Sequence, residues 1–194
     1  MPGIRSFVAI ELTEPVRDAL EKLQRQLNDK VPAGSVRWTR VESIHLTLQF
    51  LGDVAPGQIE KIVTALERVA AERTCFELEL SGLGVFPGPR RPRIVWVGII
   101  EPSGALSNLQ QAVGQALTPL GFPPEERAFT PHLTIGRAAR DASPAQLAQL
   151  GEVITRTQPG RLGRVLVEHI NLMKSDLKPG GAVYTAQAVL PLKR

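Results

Sequence analysis

The spacing of hydrophobic residues divides this chain into segments of two kinds, which follow one another along the sequence. Segments with a period of two predict strands, and segments with apolar residues every three or four positions predict helices. The predicted strands are 4–12, 43–51, 75–83, 93–100, 129–137, 163–173 and 182–192. The predicted helices are 14–29, one that opens at Pro56, 103–120, and a short one at 143–151 with Ser143 as its cap.

The order strand, helix, strand, helix, strand occurs twice, which indicates an internal duplication with approximate halves 1–83 and 93–194. Between them, residues 84–93 (GVFPGPRRPR) predict a loop. We therefore expect one bilobal domain over 1–194, of the α+β class. Each of its two pseudo-symmetric lobes would be a mainly antiparallel sheet with helices on its outer face.

Two of the three histidines open the same tripeptide, His-Leu-Thr, at matching places in the two halves. From Phe7 to His45 there are 38 residues, and from Trp96 to His132 there are 36. Side chains alternate across a strand, so each histidine shares a face with the threonine two positions on, Thr47 or Thr134. A pseudo-twofold arrangement would let the two pairs face each other.

Two imidazoles and two hydroxyls in one site suit the chemistry of a phosphoester. One neutral imidazole can take a proton from a nucleophile, and a protonated one can give a proton to the leaving oxygen. Thr47 and Thr134 can donate hydrogen bonds to phosphate oxygens, and Arg137 can add charge to the same phosphate. The scheme requires no metal and no cofactor.

Other interpretations of these histidines remain open. Either tripeptide alone is typical of an ordinary strand, because threonine favours strands. A metal site made of His45, His132 and the third histidine, His169, is a further alternative, although no Asp or Glu has a clear ligand spacing to them. His169 itself alternates with apolar residues, which fits an ordinary strand position without a catalytic or metal-binding role.

A formal net charge of +4, with 17 arginines against 6 lysines, is compatible with a polyanionic partner. Arg90, Arg91 and Arg93 are candidates to follow a polynucleotide backbone. Phe7 and Trp38 are candidates to stack on a base, although core packing is the ordinary role of both. Tyr184, on the last predicted strand, is a candidate for the cleft edge.

With one cysteine, Cys75, and no long apolar run, the chain predicts a protein of the reducing cytoplasm without a membrane span. We also expect a monomer.

These motifs resemble those of the two-histidine phosphoesterase superfamily. Within it, the chain is similar to the bacterial and archaeal RNA 2′,3′-cyclic phosphodiesterases, also called 2′-5′ RNA ligases. The resemblance covers essentially the whole chain. It is carried by HLTLQFLG, by F-x-PHLTIGR, and by the opening R-x-FVAI, Trp38, G-x-FP at 84–87 and the closing LMKSDLKPGGAVY.

The resemblance implies a bilobal fold with the active site in the central cleft. It also implies hydrolysis of an RNA-terminal 2′,3′-cyclic phosphate to a 2′-phosphate. It implies that His45 is the proton donor and His132 the proton acceptor, with Thr47, Thr134 and Arg137 on the phosphate. Some members also join tRNA halves reversibly through a 2′-5′ linkage. Two alternatives remain: a cyclic phosphodiesterase of small nucleotides, and a non-catalytic RNA or nucleotide binder on the same fold.

Overall fold

The computed structural model describes residues 3–125, 128–178 and 181–194, which form nine strands and four helices. The strands are β1 (Ile4–Glu11), β2 (Val36–Trp38), β3 (His45–Val54), β4 (Phe76–Phe86), β5 (Ile94–Ile100), β6 (His132–Ala138), β7 (Arg164–Val167), β8 (His169–Lys178) and β9 (Gly181–Pro191). The helices are α1 (Glu14–Asn28), α2 (Ile59–Ala71), α3 (Ala105–Leu117) and α4 (Pro144–Arg156). Three short 3₁₀ turns lie at Val41–Ser43, Pro56–Gln58 and Thr118–Leu120.

The strands form two antiparallel sheets, which confirms the predicted α+β class. The first sheet has the order β3-β1-β8-β9, and the second has the order β2-β6-β5-β4-β7. The strands β3 and β6, which begin with the two motif histidines, contact each other where the sheets meet. The sheets therefore bring the two motifs to one seam.

The two halves of the chain exchange elements, so neither half forms a sheet alone. From the first half, β4 pairs with β5 in the second sheet, and from the second half, β8 pairs with β1 in the first sheet. Helices cross over in the same way: α1 lies on the second sheet, where Gln24 donates to the carbonyl of Ile135, and α3 packs on β3. Each sheet is thus built from both halves.

The four helices cover one face of the sheets and leave the histidines on the other. Leu46, Leu48, Leu133 and Ile135 are buried in one continuous core together with the apolar stripes of the helices. His45, Thr47, His132 and Thr134 are half-buried on the opposite face, which we call the cleft face. A separate small cluster of Phe7, Ala9 and Met173 lies on the cleft face of the first sheet.

The predicted elements differ most from the structure in three places. The predicted strand 163–173 is two strands in different sheets, because the chain leaves the second sheet after Val167 and enters the first at His169. The predicted loop 84–93 starts too early, because residues 84–86 continue β4 in pairing with β5. The helix predicted at 143–151 runs on to Arg156.

The predicted cap of that helix is confirmed. The Ser143 hydroxyl accepts from the backbone N–H of Gln146, and the Gln146 side chain accepts from the backbone N–H of Ser143. Among the described residues, no helix is long and apolar enough to cross a membrane.

Candidate active site

The two motif histidines have the same local hydrogen bond. His45 Nδ1 lies 3.0 Å from the carbonyl oxygen of Ser43, and His132 Nδ1 lies 2.7 Å from that of Thr130. A carbonyl oxygen can only accept, so Nδ1 carries the proton in both rings. In the neutral form this leaves the Nε2 lone pair of each imidazole available to a substrate.

The surroundings of the two rings differ. The Phe7 ring stacks on His45 with centroids 4.6 Å apart, and Tyr184 meets His45 edge-on at 4.9 Å. His132 has a single ring neighbour among the described residues, Phe86, edge-on at 5.1 Å. His45 is therefore the more enclosed of the two.

Burial lowers the pKa of His45 from 6.5 to about 4, and the hydrogen bond to the Ser43 carbonyl opposes that effect. Without a substrate, His45 is consequently neutral at pH 7. It can act as a proton donor there only when a bound anion raises its pKa again.

Thr47 and Thr134 each lie two residues after a motif histidine and therefore share its face of the strand. Thr47 is opposite Ala9 on β1, and Thr134 is opposite Trp96 on β5. Neither hydroxyl is hydrogen-bonded to another residue in the described ranges. Both hydroxyls are therefore available to donate to a ligand.

Arg137 reaches the cleft face because of a β-bulge. In a regular strand, a residue five positions from His132 would lie on the opposite face. Here the register shifts by one between Val95 and Trp96, so that Ile135 is the extra residue and Arg137 lies opposite Ile94. Ile94 shares its face with Trp96 and Thr134, so the exposed Arg137 joins them about 7 Å along the strand from Thr134.

Two residues on the second sheet were missed by sequence reasoning. Arg37 on β2 is exposed and lies directly opposite Arg137, so neighbouring strands contribute two exposed arginines at this point of the sheet. Trp96 lies across Gly84, where any Cβ would clash with the indole. Trp96 lies opposite Thr134 and therefore on the same cleft face. Sequence alone could have placed it there only if the pairing of β5 with β6 had been known.

Two predicted base-stacking residues are in unsuitable places. Phe7 is only 3% exposed, because His45, Tyr184 and Phe50 surround it, so it has no free face for a base. Trp38 lies opposite Gly136, on the face toward α1, and donates from Nε1 to the Asn28 side chain. Phe7 instead supports the His45 ring, and Trp38 packs against the core.

The other predicted contact residues are spread more widely. Arg90, Arg91 and Arg93 are exposed near the turn between β4 and β5. The backbone N–H of Arg93 donates to the carbonyl of Phe86, and the carbonyl of Arg93 accepts from the N–H of Ala138. His169 begins β8, outside both motif strands, and in the described part of the chain no three His, Cys, Asp or Glu side chains are grouped to hold a metal.

Similar proteins with solved structures have the same fold. A crystal structure of TT0787 from Thermus thermophilus superposes with a TM-score of 0.77 at 26% identity, covering 97% of each chain. The apo form of Escherichia coli LigT superposes with a TM-score of 0.80 at 24% identity, covering 100% of each chain. The architecture of this chain is thus shared with both of these proteins.

Sequence comparison identifies the family. The model for LigT like Phosphoesterase matches the chain twice, over residues 10–96 and 97–184. The RNA 2′,3′-cyclic phosphodiesterase of Methanothermobacter thermautotrophicus is 34% identical over 189 residues, covering 97% of this chain and 99% of the relative. This chain belongs to the LigT-like phosphoesterase family.

Proposed function

We propose that this protein is an RNA 2′,3′-cyclic phosphodiesterase, which opens the cyclic phosphate at an RNA end to leave a 2′-phosphate and a 3′-hydroxyl. The observation that carries the proposal is the matched pair of His-x-Thr strands. Each histidine is fixed through Nδ1 and leaves Nε2 available on the cleft face. Membership of the family and a relative with this activity at 34% identity support the choice of substrate.

In the proposed mechanism, water attacks phosphorus while His132 Nε2 accepts its proton. The bond between phosphorus and the 3′ oxygen breaks, and His45 Nε2 gives that oxygen a proton. Thr47 and Thr134 donate to the non-bridging oxygens, and Arg137 adds positive charge beside them. The negative charge of the phosphodiester stabilises the imidazolium of His45 and offsets the burial that lowers its pKa.

An RNA 5′-hydroxyl in place of water would give a 2′-5′ linkage by the same steps, so ligation of RNA pieces such as tRNA halves is the companion reaction. No added energy source is needed, because the cyclic ester itself is the activated group.

The test uses a short RNA ending in a 2′,3′-cyclic phosphate, incubated in EDTA. We expect a 2′-phosphate product, and a loss of roughly 100-fold or more in His45→Ala and in His132→Ala, the scale of a general acid or base. His169→Ala is the matched control and should retain full activity. Absence of product with the RNA, but turnover of a nucleoside 2′,3′-cyclic monophosphate, would instead favour a small-nucleotide enzyme. Retained RNA binding without turnover of either substrate would favour a binding protein.

The roles of the two histidines can be separated with a modified substrate. When sulfur replaces the 3′ bridging oxygen, the leaving thiolate needs no proton. His45→Ala should then regain most of its activity, whereas His132→Ala should not. The opposite pattern would reverse the two roles.

A further inference from the structure

The geometry of the proposed reaction decides which sheet lies beside the RNA chain. The attacking oxygen and the leaving 3′ oxygen are on opposite sides of phosphorus, roughly in line with it. His132 on the second sheet serves the attacking oxygen, and His45 on the first sheet serves the 3′ oxygen. The ribose that carries the cyclic phosphate therefore lies on the first-sheet side of the cleft. The rest of the RNA chain, which continues from the 5′ carbon of that ribose, starts on the same side.

Arg5 is a cation on that side of the cleft. It lies two residues before Phe7 on β1, so the two side chains share the cleft face. The described residues of the first sheet contain two other arginines or lysines, Lys174 and Lys178. Both lie on the opposite face, because Lys174 pairs with Ser6, the residue between Arg5 and Phe7. Within the described part of the first sheet, Arg5 is thus the one arginine or lysine on the cleft face.

The side chain of Arg5 is free to bind a ligand. Arg5 is exposed, and within the described ranges its side chain makes no hydrogen bond or ion pair, not even with Asp53, which lies opposite it on β3. A guanidinium can bind a phosphodiester through two parallel hydrogen bonds. Arg5 could do so without breaking a contact of the folded protein.

The distance of Arg5 from the motif residues suits a phosphate one nucleotide away. Thr47 lies opposite Ala9, and Arg5 is four residues from Ala9, about 13 Å along β1. The long arginine side chain can cover a large part of that distance. The remainder is comparable to the spacing of neighbouring phosphates along an RNA strand.

We propose that Arg5 binds the phosphodiester that joins the terminal nucleotide to the preceding one, an inference that rests on the proposed function. A contact to a phosphate carries no sequence information. Arg5 therefore selects for an RNA chain over a mononucleotide, whatever the bases of that chain are.

The experiment compares three substrates that end in a 2′,3′-cyclic phosphate. They are the dinucleotide ApA, the same dinucleotide with an uncharged methylphosphonate as its internal linkage, and adenosine alone. Arg5→Ala should lower kcat/KM for the charged dinucleotide roughly 5- to 30-fold, mainly through KM, a range between an exposed ion pair and a hydrogen bond to a charged group. It should leave kcat/KM for the other two substrates unchanged.

Two further variants sharpen the comparison. Arg5→Lys keeps the positive charge and should retain most of the activity on the charged dinucleotide. Arg68→Ala removes an exposed arginine from α2, which packs on the opposite face of the first sheet, and is the control without effect.

An equal loss on all three substrates in Arg5→Ala, or an equal loss on the two dinucleotides, would overturn the phosphate contact. If the wild-type protein hydrolyses none of the three, the proposed function fails, and calorimetric titration with the 2′-phosphate forms of the two dinucleotides still tests the inference. Tighter binding of the charged form by the wild type, lost in Arg5→Ala, would then support the contact. Equal binding of the two forms by the wild type would refute it.

Discussion

The ring of Phe7 lies against the imidazole of His45, with centroids 4.6 Å apart and planes inclined by 28°. Phe7 comes from β1 and His45 from the neighbouring strand β3, and Tyr184 from β9 closes a third side. This aromatic enclosure accounts for the burial that lowers the pKa of His45.

Opening the enclosure should therefore change the titration of His45. In Phe7→Ala, water reaches the imidazole, and we expect the pKa of His45 to rise from about 4 toward 6.5. Phe7→Leu keeps an apolar cover and should give a smaller rise. NMR titration of the histidine ring signals measures both, with His132 as the internal reference. An unchanged His45 titration in Phe7→Ala would mean that Phe7 does not cause the shift.

The same pKa predicts how stability depends on pH. The unfolded chain binds a proton at His45 near pH 6.5, and the folded chain does so only near pH 4. Between these values the unfolded state holds more protons, so the folded state loses stability as the pH falls. At pH 4.5 this loss amounts to about 2 to 3 kcal/mol.

Urea unfolding at pH 7 and at pH 4.5 measures that loss. His45→Gln, which cannot be protonated, should lose less stability between the two pH values than the wild type. Glu11, opposite His45 on β1, and Tyr184 are retained in both proteins, so the two proteins differ only at position 45. Equal losses in the two proteins would contradict a depressed pKa.

The bulge in β6 depends on Gln24 of α1. Its Nε2 donates to the carbonyl of Ile135, the extra residue of the bulge, at 2.8 Å, and to that of Thr39 at 2.7 Å. Gln24→Leu leaves these acceptors without their donor and should lower the free energy of unfolding by about 1–3 kcal/mol. Gln26→Leu, the same change at an exposed position of the helix, should have little effect on a thermal melt. Similar melting temperatures for the two variants would exclude this anchoring role.

Arg137 should contribute to RNA binding mainly through its positive charge. If it lies beside the phosphates of the RNA, Arg137→Ala should weaken RNA binding at every sequence. It should also reduce the slope of log affinity against log salt by about one. Arg156→Ala, which removes an exposed arginine paired with Glu152 on α4, is the control. A salt slope that is the same in wild type and Arg137→Ala would place Arg137 away from the RNA backbone.

Local periodicity was sufficient to predict the parts of the site that lie within one strand. The alternation of His45 with Thr47, and of His132 with Thr134, needs only the period of a strand, and both pairs lie on the cleft face as predicted. The repeat of the pattern was likewise enough to predict two antiparallel sheets in one chain.

Features that depend on distant pairing could not be predicted in this way. The bulge at Ile135 shows only in its register with β5, and the burial of Phe7 results in part from Tyr184 on β9, at the other end of the chain. Trp38 faces α1 because Gly136 opposite it leaves room for the indole. The glycine in the sequence IGR, Gly136, indicates a place where a neighbouring side chain packs closely. Only the pairing of β2 with β6 identifies that side chain as Trp38.

The exchange of strands has a consequence for how such a chain can arise and how it can be divided. A fragment that ends before β5 would have β4 without a neighbour, and a fragment that begins at β5 would lack β1, which pairs with β8. Neither fragment is a self-sufficient folding unit, so cleavage between the halves would not release two working modules. Two copies of a half-length ancestor would have completed each other by exchanging strands. A single polypeptide that carries both halves holds the exchanged strands together without a second copy.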